Sequence, residues 1–205
     1  MQNKSLFALL VFVVFSATAA IGYYVPPLWN AYRAEKQAAS FVPPVMPQLR
    51  LDAFATNFSH VLIAEEPKTL PDLAFQDLKG KEHRFADFRG MPLLVNFWAT
   101  WCLPCVVELP SLQRFADHYK GRIAVIAVAL EPQKTAPEIA RFLEIRQLGD
   151  FAGYYYNGTG MDVRGIPTSV LLDANGHILY RFEGEADWAA PEAQAFFDTF
   201  LLQKR

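Results

Sequence analysis

The sequence predicts an α/β domain whose mixed sheet is covered by helices, and three observations predict it. A strand-type apolar run, LLVNFW (93–98), is followed by a helical stretch from about Leu103 to Tyr119 and then by a second apolar run, IAVIAVAL (123–130). Strand, helix and strand at this spacing form a parallel unit that closes right-handed. Farther on, TSVLLDANGHILYRFEG reads as an antiparallel hairpin about Asn175-Gly176, a strong short turn signal. A final amphipathic helix over Ala189–Leu202 completes the layer that covers the sheet.

The remaining elements follow in chain order. After MQNK, residues 5–25 carry no charge, and none appears until Arg33. As a helix this segment reaches roughly 31 Å, about one hydrocarbon core, and reads as a membrane anchor. It also fits a cleaved signal, with Lys4 as the basic start and Ala17-Thr18-Ala19 as the small-residue cleavage site. A buried helix of a soluble protein is the third reading. The first two send the body of the chain outward across a membrane, in a bacterium into the periplasm.

Residues 26–69 read as an extended Pro-rich spacer, interrupted by a short helix through Trp29–Ala39. Pro26, Pro27, Pro43, Pro44, Pro47 and Pro67 fall in it, and each fixes φ and removes a donor. The folded domain is expected over residues 70–205. It opens with a hairpin, LAFQDLKGKEHRF, turning at Lys79-Gly80, and carries a second helix, Ala136–Gln147, after the parallel pair. At 205 residues, 52% hydrophobic and with a net charge of −2, the chain lacks both a basic footprint for nucleic acid and an acidic disordered tail.

Cys102 and Cys105 are the only cysteines, in NFWATWCLPCVVELP (96–110). As a staple they close a four-residue loop worth about 2 kcal/mol, against nearly 5 for a loop of about 100 residues. A zinc site asks for four ligands, and no histidine follows His118 closely enough; His60, His83 and His177 lie in other segments. No metal ligand set is therefore assigned, and His118 reads as a solvated helix residue. A redox pair needs less. Cys102 stands at the start of a helix, where free N–H groups and the dipole favour a thiolate, and Pro104 fits the first turn. Cys102 reads as the nucleophile and Cys105 as the thiol that resolves a mixed disulfide.

A helical wheel places a third group. Stepping about 100° per residue from Cys105, the residues Leu109, Leu112, Phe115, Ala116 and Tyr119 share one apolar arc, and Glu108 falls inside it. A carboxylate there is poorly solvated and suited to exchanging a proton with Cys105. The plainer reading is that Glu108 reaches the edge of the arc and pairs with a base. Val106 and Val107 point outward, either as a docking surface for a partner or beneath a neighbouring loop.

These residues resemble thioredoxin-like proteins of the TlpA/ResA/CcmG type. Trp101-Cys102-x-Pro104-Cys105, preceded by LVNFWAT and followed by ELPSL, carries the resemblance, as does Gly165-Ile166-Pro167-Thr168 ahead of SVLLDANGHILYRFEG. It runs from about Pro71 to the C-terminal helix. It implies a thioredoxin fold, thiol–disulfide exchange, and a cis peptide at Ile166-Pro167 beside the disulfide. Trp101, Ile166, Pro167 and Thr168 would then meet the substrate. Glu108 matches the acid that membrane-tethered relatives place after the second cysteine, and Asn96 stands where ordinary thioredoxins have a buried aspartate. Two departures stand out: Val106-Val107 replaces basic residues, and Thr168 replaces the glutamate usual in the cytochrome-c-maturation branch.

The resemblance further implies a reductase of disulfide-bearing periplasmic proteins, re-reduced by a membrane electron donor of the DsbD/CcdA type. The Thr168 departure favours a general TlpA-like reductase, with cytochrome c maturation or metalloprotein assembly kept as alternative settings and no cofactor beyond the cysteine pair. Two rival classes use the same thiols. A peroxiredoxin-like enzyme asks for threonine three residues before its cysteine, where this chain has Ala99. A non-catalytic copper or zinc assembly chaperone is the other.

Overall fold

The computed structural model describes residues 48–56, 58–161 and 163–203. The N-terminal segment 1–25 and the short helix expected at 29–39 lie outside the described residues. Among those described, no helix is long and apolar enough to cross a membrane.

Ordered structure starts earlier than residue 70. Helix α1 (Gln48–Ala55) and strand β1 (His60–Ile63) both fall in the stretch assigned from sequence to an extended spacer. The reason is local: between Pro47 and Pro67 there is no proline, and Leu51, Phe54 and Phe58 recur at helical spacing. All three are buried, and the Phe54 ring lies 5.3 Å from Phe196 and 5.7 Å from Trp188. The expected hairpin follows as β2 (Phe75–Asp77) and β3 (Glu82–His83), its turn held by Asp77 Oδ1, which accepts from the Lys79 and Lys81 N–H groups.

Strand β4 (Leu93–Trp98), helix α2 (Leu103–His118) and strand β5 (Ala124–Leu130) form the expected parallel unit, with Leu93 opposite Ala124 and Trp98 opposite Ala129. Every residue of β4 is buried, as a strand covered on both faces requires. Helix α3 (Ala136–Ile145) starts in a capping box, where Glu138 accepts from the Thr135 N–H. Strand β6 (Tyr154–Tyr156), unforeseen from sequence, pairs parallel with β5.

Strands β7 (Thr168–Leu172) and β8 (Ile178–Glu183) form the second hairpin, and α4 (Pro191–Leu202) ends the described chain. Its turn is built on Asp173, whose Oδ1 accepts from Asn175 and His177, with Gly176 alone at positive φ. The sheet order is β1-β8-β7-β4-β5-β6-β2-β3, with β4, β5 and β6 parallel and the other pairings antiparallel.

Leu70, Phe75, Phe85, Val95, Phe97 and Val170 pack on one side of this sheet. On the other, Phe54, Phe115, Trp188, Phe196 and Phe197 interlock as an aromatic layer. The C-terminal end of β4 feeds the loop that carries both cysteines, at the strand end where open α/β sheets gather functional groups.

Candidate active site

Cys102 is the N-cap of α2. Its backbone is extended (φ −87°, ψ 100°), its N–H donates to Ala99 O at 3.1 Å, and its Sγ lies 3.3 Å from the Cys105 N–H that points at it. Pro104 in the first turn lacks a donor that the helix start would leave unpaired anyway. A disulfide joins Cys102 to Cys105, with the Cα atoms 5.3 Å apart. Cys105 is sealed, whereas Cys102 keeps a small exposed edge between Trp101 and Leu103, which are 70% and 74% exposed. The less sealed of the two cysteines is therefore the one at the positive helix end.

The Gly165–Thr168 turn closes on this sulfur from β7. Ile166-Pro167 is cis, and the Ile166 carbonyl oxygen lies 3.7 Å from Cys102 Sγ. Ile166 is half-buried and Pro167 buried. Thr168, expected at the substrate surface, is turned inward: it is 1% exposed and its hydroxyl donates to Gly165 O at 2.7 Å, so its side chain braces the turn. Pro167 O accepts from the Gly184 N–H, which ties the turn to the end of β8. Gly184 is required there. Its φ is +112°, and a Cβ would meet Ser59 N at 3.1 Å.

One helical turn beyond Cys105, Glu108 is 3% exposed and does not reach a base. Its Oε1 accepts from Asn96 Nδ2 at 2.7 Å; its Oε2 accepts from the Ala186 N–H at 3.1 Å and from Trp188 Nε1 at 3.2 Å. Burial outweighs these donors and pushes its pKa up to about 7. Asn96 Nδ2 also donates to Ser169 Oγ at 2.9 Å, and Asn96 Oδ1 is buried without a partner among the described residues. Ser111 Oγ bridges the same elements, donating to Glu108 O and accepting from the Trp188 N–H. Ser111, Ser169, Ala186 and Trp188 were not assigned to the site from sequence, and Asn96 was marked only as standing where ordinary thioredoxins have a buried aspartate. They meet only because β4, β7, α2 and the 185–188 loop converge, so no local pattern announces them.

Val107 is 63% exposed and lines an open groove of ≈ 440 Å³ with Glu108, Pro110, Ser111, Arg114 and Asp187. His118 is exposed, as expected of a solvated helix residue. Among the described residues, no group of three or more His, Cys, Asp or Glu side chains is placed to hold a metal ion.

A disulfide at a helix N-terminus, a carbonyl facing its outer sulfur and a buried acid one turn behind its inner sulfur define a thiol–disulfide oxidoreductase of thioredoxin-like fold. The chain belongs to the AhpC/TSA family, whose model matches residues 67–198. The thiol-disulfide oxidoreductase ResA of Geobacillus thermodenitrificans is 34% identical over 129 residues, 61% of this chain and 73% of its own. The thiol:disulfide interchange protein DsbE of Vibrio cholerae is 30% identical over 167 residues, 72% of this chain and 85% of its own. Among solved structures, a protein of Chlorobium tepidum assigned as a thiol:disulfide interchange protein DsbE superposes with a TM-score of 0.55 at 26% identity, covering 65% of this chain and 96% of that one.

Proposed function

We propose that this protein reduces disulfides of partner proteins on the outer side of a bacterial inner membrane. The observation that carries the reading is the placement of the three groups: Cys102 at the helix start and the solvent edge, Cys105 sealed behind it, and Glu108 buried one turn on. The Cys102 thiolate attacks one sulfur of the partner disulfide, forming a mixed disulfide and releasing the other sulfur as a thiolate. Cys105 gives its proton to Glu108 and attacks Cys102 Sγ. The second partner sulfur then leaves, and the proton passes out along the Val107–Arg114 groove. Two electrons move to the partner, whose two sulfurs leave as thiolates and take protons from solvent, and the Cys102–Cys105 disulfide remains.

When Glu108 holds the proton it needs an acceptor. A half-turn of the Asn96 amide offers Oδ1 to Glu108 and to the Ser169 hydroxyl, so Asn96 serves both charge states. The Ile166 backbone, close to Cys102, meets an extended partner segment, with Trp101 at its edge and Pro167 beneath. The apolar segment 5–25 anchors the chain, and residues 26–47 space the domain from the membrane. A membrane electron donor of the DsbD/CcdA type returns the pair to dithiol, and cytochrome c maturation or metalloprotein assembly supplies the substrates. No cofactor beyond the cysteine pair enters the cycle.

Trapping tests this reading. C105S, expressed in the host membrane, is expected to accumulate covalent, reductant-sensitive adducts with periplasmic proteins, and the double variant C102S/C105S none. Equal adducts from both variants, or none from C105S, would remove the assigned order of attack.

A further inference from the structure

Glu131 is a second buried carboxylate beside the cysteines, and the exchange described above does not use it. It is 2% exposed and follows β5 directly. The parallel register that sets Trp98 opposite Ala129 brings Glu131, two residues on, level with Thr100. There Glu131 Oε1 accepts from the Thr100 N–H at 2.6 Å, continuing the ladder with a side chain, while its own N–H donates to Tyr156 O at 3.0 Å. The Thr100 donor sits within the turn closed by the bond from the Cys102 N–H to Ala99 O, so the carboxylate braces the loop that ends at Cys102. Among the described residues no ion pair reaches Glu131. One N–H needs only a neutral acceptor, and a buried carboxylate without a cation is a costly way to supply it.

We propose that Glu131 is a positioning residue with an electrostatic role: it fixes the Thr100-Trp101 turn and its negative charge biases the Cys102–Cys105 pair toward the disulfide. The disulfide is neutral, whereas taking up two electrons and one proton leaves a thiol and the Cys102 thiolate. A negative charge near Cys102 therefore raises the free energy of the reduced form alone, which makes the dithiol a stronger reductant. For a unit charge acting through partly screened protein, the effect on the equilibrium is about tenfold. The inference rests on Cys102 and Cys105 being a working redox pair.

The test compares the full chain with E131Q, which keeps the acceptor and removes the charge, and E131D, which keeps the charge and withdraws it from Thr100. Each is equilibrated against glutathione, and the pH profile of Cys102 alkylation is recorded. E131Q is expected to shift the equilibrium about tenfold toward dithiol, about 30 mV more positive, with its alkylation profile moved to lower pH. E131D is expected to stay near wild type in both. An unshifted E131Q, or an E131D that shifts as far as E131Q, would reduce Glu131 to a loop brace and overturn the proposal. Should E131Q not fold, E131D decides by the same criterion. If the wild-type pair proves oxidising while E131Q is still tenfold more so, the reductase assignment falls and the role of Glu131 stands.

Discussion

At the scale of single residues, the proposed chemistry turns on the proton of Glu108. Its carboxyl ordinarily ionises near 4.5, and burial raises that to about 7. Between these values the folded protein binds the proton more tightly than the unfolded chain does. Below about pH 4.5 both states are protonated and the shift contributes nothing. Above about pH 7 the folded state bears the whole cost of burying the charge, about 3 kcal/mol. Stability of the oxidised protein is therefore expected to fall as pH rises from about 4.5 through 7, and E108Q to flatten that slope in denaturant titrations at stepped pH. The same variant is expected to slow disulfide exchange about 10²-fold, because no acceptor remains for the Cys105 proton. A wild-type rate in E108Q would leave the carboxylate without a part in the exchange.

At the scale of elements, legibility in the sequence followed contact range. β4 and α2 were readable because a continuous apolar run and a 3.6-residue period are local signals, and the α2 period also buried Glu108 beside Cys105. β6 has three residues and no alternation to mark it, so only its pairing with β5 reveals it. α1 and β1 were hidden by the prolines around them, although Leu51, Phe54 and Phe58 carry the helical spacing. Their burial has a consequence for the site. Phe54 packs on Trp188, and Trp188 Nε1 donates to Glu108. Phe54→Ala is expected to cost about 3–5 kcal/mol of stability in urea unfolding, as large-to-small changes in a closed core do. A loss below about 1 kcal/mol would mean that α1 is only loosely attached.

At the scale of the whole molecule, the sheet brings together what the chain keeps far apart. Cys102 and Ile166 are neighbours because β4 and β7 pair antiparallel with Phe97 opposite Thr168, which sets the Gly165–Thr168 turn against the start of α2. The cysteine spacing and the Ile166-Pro167 dipeptide were legible in the sequence. The Asn96–Ser169 and Glu131–Thr100 contacts were not, since each depends on strand register. Two buried carboxylates lie near one disulfide: Glu108, the proposed acceptor of the Cys105 proton, and Glu131, whose charge is proposed to oppose the Cys102 thiolate and so favour a pair that gives electrons away. The reduction potential tests this most directly. It should be measured against glutathione on a chain that retains α1 and β1, because both belong to the folded unit. A value near thioredoxin's, about −270 mV or lower, is expected of a reductant of partner disulfides. A value near DsbA's, about −120 mV, would make the protein an oxidant and contradict the direction of electron flow proposed for it.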